Sequence, residues 1–99
     1  MQRKNFSSGA PWEDVVGYSR AVLVGNQLEV SGTVATDESG TVGKGDFYEQ
    51  TKFILQKIEK VLQQAGLELR EGIRTRNFVK GILKWEDEDK AQREFFRDI

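Results

Sequence analysis

The chain has 99 residues with 15 basic and 16 acidic side chains, a net charge of −1, which fits one domain without the basic excess of a nucleic-acid binder. It has no cysteine and no histidine, which excludes a disulfide framework, a thiolate nucleophile, an imidazole acid–base group and a Cys/His zinc site. With 37% hydrophobic and 31% charged residues it should bury roughly 60–65% of its unfolded surface, enough for one modest core.

In chain order, Met1–Asn5 is basic but lacks the apolar segment of a secretory signal, so a cytoplasmic location is expected. Residues 3–6 suit a short edge strand, and a Ser/Gly/Pro-rich loop runs on to Pro11. Ala21–Val24 and Gln27–Ser31 are apolar runs separated by Gly25-Asn26, and glycine first in a two-residue loop predicts a hairpin with a type II′ turn. Residues 36–45 are rich in glycine and small polar residues and read as a loop.

Asp46 with Glu49 three positions on has the capping-box pattern and opens the clearest helix. Phe47, Ile54, Leu55, Ile58, Val61, Leu62 and Ala65 share its apolar face, and Gly66 stands where a helix-stopping glycine belongs. Ile73–Leu83 alternates like a long strand, with Gly81 suggesting a bulge. Glu86–Asp98 predicts a second helix, acidic in its first turn and with Arg93 and Arg97 late, as the helix dipole favours; Ala91, Phe95 and Ile99 share a face. The order β, ββ, α, β, α is an α+β pattern with helices on one side of a sheet.

Several residues have more than one reading. Tyr18 ahead of a strand is either a site residue or a core aromatic with its hydroxyl at the rim. Ser31-Gly32 is equally an ordinary strand end. Arg74, Arg76, Lys80 and Lys84 with Phe78 between them form a basic stripe of the kind that binds single-stranded RNA, which the acidic turn at Glu86–Asp89 could neutralise. That acidic turn reads as helix capping charge, so no metal or cofactor is expected. Trp12 and Trp85 read as packing residues.

Ser8-Gly9-Ala10-Pro11-Trp12, the block Gly17–Thr33 with Tyr18 and Ser31-Gly32, Gln50-Thr51, Leu62, Gly66, Phe78-Val79-Lys80 and Phe95-Phe96 stand at spacings that span residues 6–99 without a large insertion. Together they resemble the Rid family (reactive intermediate deaminase, YjgF-like or UK-type, also labelled L-PSP endoribonuclease). The resemblance implies a chorismate-mutase-like fold, a mixed sheet with two helices on one face, assembled as a homotrimer with ligand clefts between subunits. It further implies two strands after the second helix. With the chain ending at Ile99, residues 1–99 are expected to be a single Rid-like domain lacking those last two strands, with open sheet edges that invite pairing with another chain.

The activity the resemblance implies is that of a 2-iminobutanoate/2-iminopropanoate deaminase, an enamine/imine hydrolase that converts reactive imino acids to 2-oxo acids and ammonia. Tyr18 matches the family's pocket tyrosine, and Ser31 and Gly32 match the turn whose backbone approaches the ligand, so these three are the expected substrate-binding residues. The family's carboxylate-binding arginine and water-positioning glutamate belong to the two further strands, so no catalytic residue is assigned. Asp89 falls at a family asparagine, and Gln92 where related sequences often carry histidine. The expected partners are small 2-imino and 2-oxo acids and further copies of the chain, with neither membrane nor nucleic acid. The alternative is a non-catalytic module of the same fold that binds small carboxylates or a partner protein. RNA binding or endoribonuclease activity ranks third, because the chain carries neither histidine nor a basic excess.

Overall fold

A computed structural model describes residues 2–78 and 85–99. Its elements run β1 (Arg3–Phe6), α1 (Pro11–Val16), β2 (Ala21–Val24), β3 (Gln27–Val30), β4 (Thr36–Asp37), β5 (Gly40–Thr41), α2 (Phe47–Gln64), a 3-10 turn (Leu69–Glu71) and α3 (Trp85–Phe96). This is an α+β fold. β1, β2 and β3 form an antiparallel sheet in that order, with β2 in the middle.

The hairpin forms as its sequence predicts. Gly25 has φ +62° and Asn26 does not enter the positive-φ region, the signature of a type II′ turn rather than a I′ turn. The turn sets the register: Phe6 stands opposite Ala21, which stands opposite Val30, and Lys4, Leu23 and Leu28 form the next row of the same face. Ala21 has no exposed surface, and Phe6, Ala21 and Val61 of α2 form the centre of the core, with Leu23, Leu28, Val30 and Ala65 packed around them. The helix therefore lies on the face that the period-two pattern makes apolar.

α2 begins and ends where its caps dictate. The Asp46 side chain accepts the Glu49 backbone N–H at 3.1 Å. The reciprocal half of the box is replaced: the Asp46 N–H donates to the Gly43 carbonyl at 2.8 Å. At the other end Gly66 adopts φ +76°, the Leu67 N–H reaches the Leu62 carbonyl at 2.8 Å and the Gly66 N–H reaches the Gln63 carbonyl at 3.0 Å. That pair of bonds is a Schellman motif, and it requires a left-handed residue at position 66. α3 packs against α2, with Ala91 fully buried. The Tyr48 hydroxyl donates to the Glu94 carboxylate, 2.7 and 2.9 Å from its two oxygens, tying the helices together at their rim.

Three stretches differ from the sequence expectation. Pro11–Val16, which begins at the end of the expected loop and to which the sequence pattern assigns no element, is a short helix with Pro11 in its first turn and Gly17 closing it by donating to the Glu13 carbonyl at 2.9 Å. Within the expected loop 36–45 lies a miniature hairpin, β4–β5, whose turn is held by the Ser39 N–H donating to Asp37 Oδ1 at 2.8 Å. The long strand is not seen over 73–78: Ile73 is fully exposed, Phe78 is 87% exposed, and these residues pair with no strand among the described residues. Alternation alone does not make a strand, which is defined by a ladder to a neighbour. The strands of the described residues are all antiparallel, and the strand that would make the sheet mixed falls in part on residues outside them. Residues 79–83 of the expected strand, with the Gly81 bulge, Val79 and Lys80, lie outside the described residues, as does Lys84.

Replacing the cap tests this account of α2. Asp46→Ala should lower stability by about 1 kcal/mol, read as a lower urea midpoint with unchanged slope, and Asp46→Asn should restore most of it. An Asp46→Ala midpoint equal to the wild type would mean that the side chain does not cap the helix.

Candidate functional site

The chemistry of the chain concentrates where β2 begins and β3 ends. Two charged residues are buried there, Glu13 and Arg20. Glu13 sits on the first turn of α1, and its carboxylate turns back over the preceding loop. It accepts from the Ser7 hydroxyl at 2.9 Å, from the Ser8 N–H at 3.2 and 3.3 Å, and from the Ser8 hydroxyl in a short contact. Burial alone would raise the Glu13 carboxyl. The hydrogen bonds from Ser8 and Ser7 and the charge of Arg20 outweigh it, and the group is held below the usual carboxylate range.

Arg20 precedes the first residue of β2. Its Nε lies 3.8 Å from Glu13 Oε2, and its two terminal nitrogens divide between other partners. Nη1 donates to the Gly32 carbonyl at 2.6 Å and to Thr33 Oγ1 at 3.2 Å, while Nη2 reaches the Tyr18 hydroxyl at 3.4 Å. The guanidinium carbon also stands 5.5 Å from the centre of the Tyr18 ring. The backbone continues the pattern, since the Ser31 N–H donates to the Arg20 carbonyl at 2.9 Å and the Ser31 hydroxyl to the Ser19 carbonyl at 2.6 Å.

Of the three residues expected from sequence to bind substrate, Tyr18 and Gly32 are thus joined through one guanidinium, and Ser31 is held beside them by the Ser19 and Arg20 backbone carbonyls. Tyr18 and Ser31 are half-buried and Gly32 is exposed, so the cluster has a face open to solvent. Sequence reasoning missed the residues that assemble it, Arg20 and Glu13. The available signals were weak: a charged residue directly ahead of an apolar strand, and a glutamate five and six positions after two serines. Asp89 is exposed on α3, and Gln92 Nε2 donates to Thr75 Oγ1 at 3.3 Å, so neither bonds to the Tyr18 cluster. Arg74, Arg76 and Phe78 are exposed. Trp12 and Trp85, expected to pack, are 66% and 50% exposed.

Two surface depressions lie elsewhere. One of about 630 Å³ is bordered by Arg3, Lys4, Leu23 and Gly25 at the hairpin end, and another of about 300 Å³ by Leu67, Leu69 and Phe95. Neither includes Tyr18, Ser31 or Gly32, and neither gathers buried polar groups as the Arg20 cluster does. The described residues contain no helix long and apolar enough to cross a membrane.

The protein is thus an α+β domain with a small antiparallel sheet under a long capped helix and a buried Arg–Glu pair beside Tyr18 and Gly32. The sequence model of the family described as Endoribonuclease L-PSP matches residues 9–99. An uncharacterized protein of Streptomyces coelicolor is 32% identical over 96 residues, 97% of this chain and 72% of the relative. A RutC family protein of Pyrococcus abyssi is 32% identical over 92 residues, 92% of this chain and 72% of the relative. The crystal structure of a Mycobacterium tuberculosis member of the YjgF/YER057c/UK114 family superposes with a TM-score of 0.86 at 35% identity, over 98% of this chain and 76% of that one. The chain belongs to the L-PSP endoribonuclease-like, or Rid/YjgF, family.

Removing the carboxylate should expose the dependence of the cluster on Glu13. Glu13→Ala leaves a buried guanidinium without its counter-charge and should cost about 3 kcal/mol in urea unfolding. The pH dependence has a definite sign. The folded Glu13 value is depressed, so its contribution is fully present above the ordinary value of 4.5 and is lost as pH falls through the lower folded value. Wild-type stability should therefore fall more steeply than that of Glu13→Gln below pH 4.5. Parallel acid profiles for the two proteins would contradict this account.

Proposed function

We propose that the chain is a Rid-type imine/enamine deaminase acting on small 2-imino acids such as 2-iminopropanoate and 2-iminobutanoate, with Tyr18, Ser31 and Gly32 lining an intersubunit cleft of a homotrimer. The observation that supports this reading is the bridge from Tyr18 to Gly32 through Arg20, which holds side by side two of the residues that the resemblance assigns to the pocket. In the reaction, water adds to the imine carbon, the carbon–nitrogen bond breaks, and the nitrogen leaves as ammonia with the 2-oxo acid as product. An enamine first takes a proton at carbon to become the imine. No oxidant or reductant is needed. The demand on the protein is to place a water and an anionic substrate together, which orientation can accomplish without a strong base.

The second reading is a non-catalytic module of the same fold that binds 2-oxo acids or similar small carboxylates. It is favoured by the engagement of the Arg20 guanidinium with the protein's own Gly32, Thr33 and Tyr18, which gives the cluster a structural use that needs no reaction. The family's endoribonuclease label has less support here, because the chain has no histidine and a net charge of −1.

Ammonia release from freshly generated 2-iminopropanoate decides between them. The deaminase reading predicts acceleration by the wild-type chain, a loss of about tenfold in kcat/KM for Tyr18→Phe if the hydroxyl contacts substrate or water, and a native mass three times that of one chain. Binding of 2-oxobutanoate without turnover favours the module, and neither binding nor turnover removes both readings.

A further inference from the structure

Residues 32–34 join β3 to β4 without forming a sheet ladder, so their backbone is held by whatever their polar groups bond. The carbonyls of Gly32 and Val34 in this segment, and of Thr36 at the start of β4, each accept from a side-chain cation. Arg20 takes the Gly32 carbonyl at 2.6 Å, and Lys57 Nζ takes the Val34 and Thr36 carbonyls at 3.0 Å each. The two cations come from different elements, Arg20 from the start of β2 and Lys57 from the middle of α2. Between the Lys57 acceptors the chain makes a tight turn, the Thr36 N–H donating to the Val34 carbonyl at 2.9 Å. Lys57 thus closes over both carbonyl ends of that turn, while Arg20 fixes its approach. Glu13 balances one of the two charges, and Asp37 lies close enough to Lys57 to act on it electrostatically.

We infer that Arg20 and Lys57 are positioning residues that together set the backbone of segment 31–36, and through it the ligand geometry at Tyr18, Ser31 and Gly32. The ligand part rests on the reading of those residues as a carboxylate-binding surface; the backbone part does not. The chemistry of the two side chains explains the division of labour. A planar guanidinium spans the Gly32 carbonyl, Thr33 Oγ1 and the Tyr18 hydroxyl at fixed angles, which a single ammonium cannot do. An ammonium on a long stem reaches two carbonyls two residues apart, for which no planar fork is needed. A displacement of the Gly32 backbone by an ångström would be felt by any ligand that it approaches.

The test uses the 99-residue chain with Arg20→Lys and, because Lys57 is only half-buried and its loss leaves the core intact, Lys57→Met. Amide hydrogen exchange is compared with the affinity for 2-oxobutanoate, both measured at a temperature where each variant is folded. Amides of residues 31–36 should exchange about tenfold faster in Arg20→Lys, with those of β1 and β2 little changed, and the 2-oxobutanoate Kd should rise about tenfold. Lys57→Met should show the same pattern to a smaller degree, strongest at residues 34–36. A purely structural role would instead accelerate exchange throughout the sheet and leave the affinity of the folded protein unchanged, and either result overturns the inference. If the wild-type chain binds no 2-oxo acid, the carboxylate-binding reading fails on its own, and the exchange pattern alone decides whether the two cations set the segment.

Discussion

Ala21 sits where three elements meet, and its small size sets how closely they approach. It is fully buried in the central strand, between Phe6 and Val30 in the register and in one cluster with Val61 of α2. A larger side chain would push the helix off the sheet, and a polar one would be buried without a partner. The neighbouring residue, Arg20, starts where the apolar core stops. Its carbonyl takes the Ser31 N–H, the last rung of the hairpin, and its guanidinium takes the Gly32 carbonyl just beyond. One step along the chain therefore couples the packing of the core to the geometry of the candidate site.

This coupling explains why a buried ion pair is tolerated in so small a domain. A guanidinium with only 5% of its residue exposed would be costly alone. Here its charge is offset by Glu13, and its terminal nitrogens are used by Gly32, Thr33 and Tyr18. Glu13 is satisfied in turn by Ser7 and Ser8, so the pair draws the N-terminal loop, α1, the start of β2 and the end of β3 to one point. The family match over residues 9–99 includes Glu13, Tyr18, Arg20 and Ser31-Gly32, while Ser7 and Ser8 precede it.

Much of the framework was legible because its signals are local. The Gly25-Asn26 turn, the Asp46 cap and the Gly66 stop each depend on a few neighbouring residues, and each forms as written. α1 carried a usable signal that its surroundings obscured: Pro11 at the first position and Gly17 at the end, around a single buried residue, directly after the small residues Ser7-Ser8-Gly9-Ala10. Residues 73–78 failed in the opposite way. Their alternation is that of a strand, but without a partner ladder among the described residues the pattern had nothing to pair with.

From sequence alone came the α+β class, the faces of the hairpin and of α2, the family, and the expectation that Tyr18, Ser31 and Gly32 share one surface. Turn chemistry, capping and periodicity act over a handful of residues, and family spacing is carried by the chain itself. Only the tertiary structure decided that Arg20 and Glu13 are buried against each other, and that Lys57 reaches from α2 to the carbonyls of Val34 and Thr36. Charged side chains on a polar chain look alike in sequence. What distinguishes these three is which distant backbone groups the folding of the sheet and helix brings within hydrogen-bond reach.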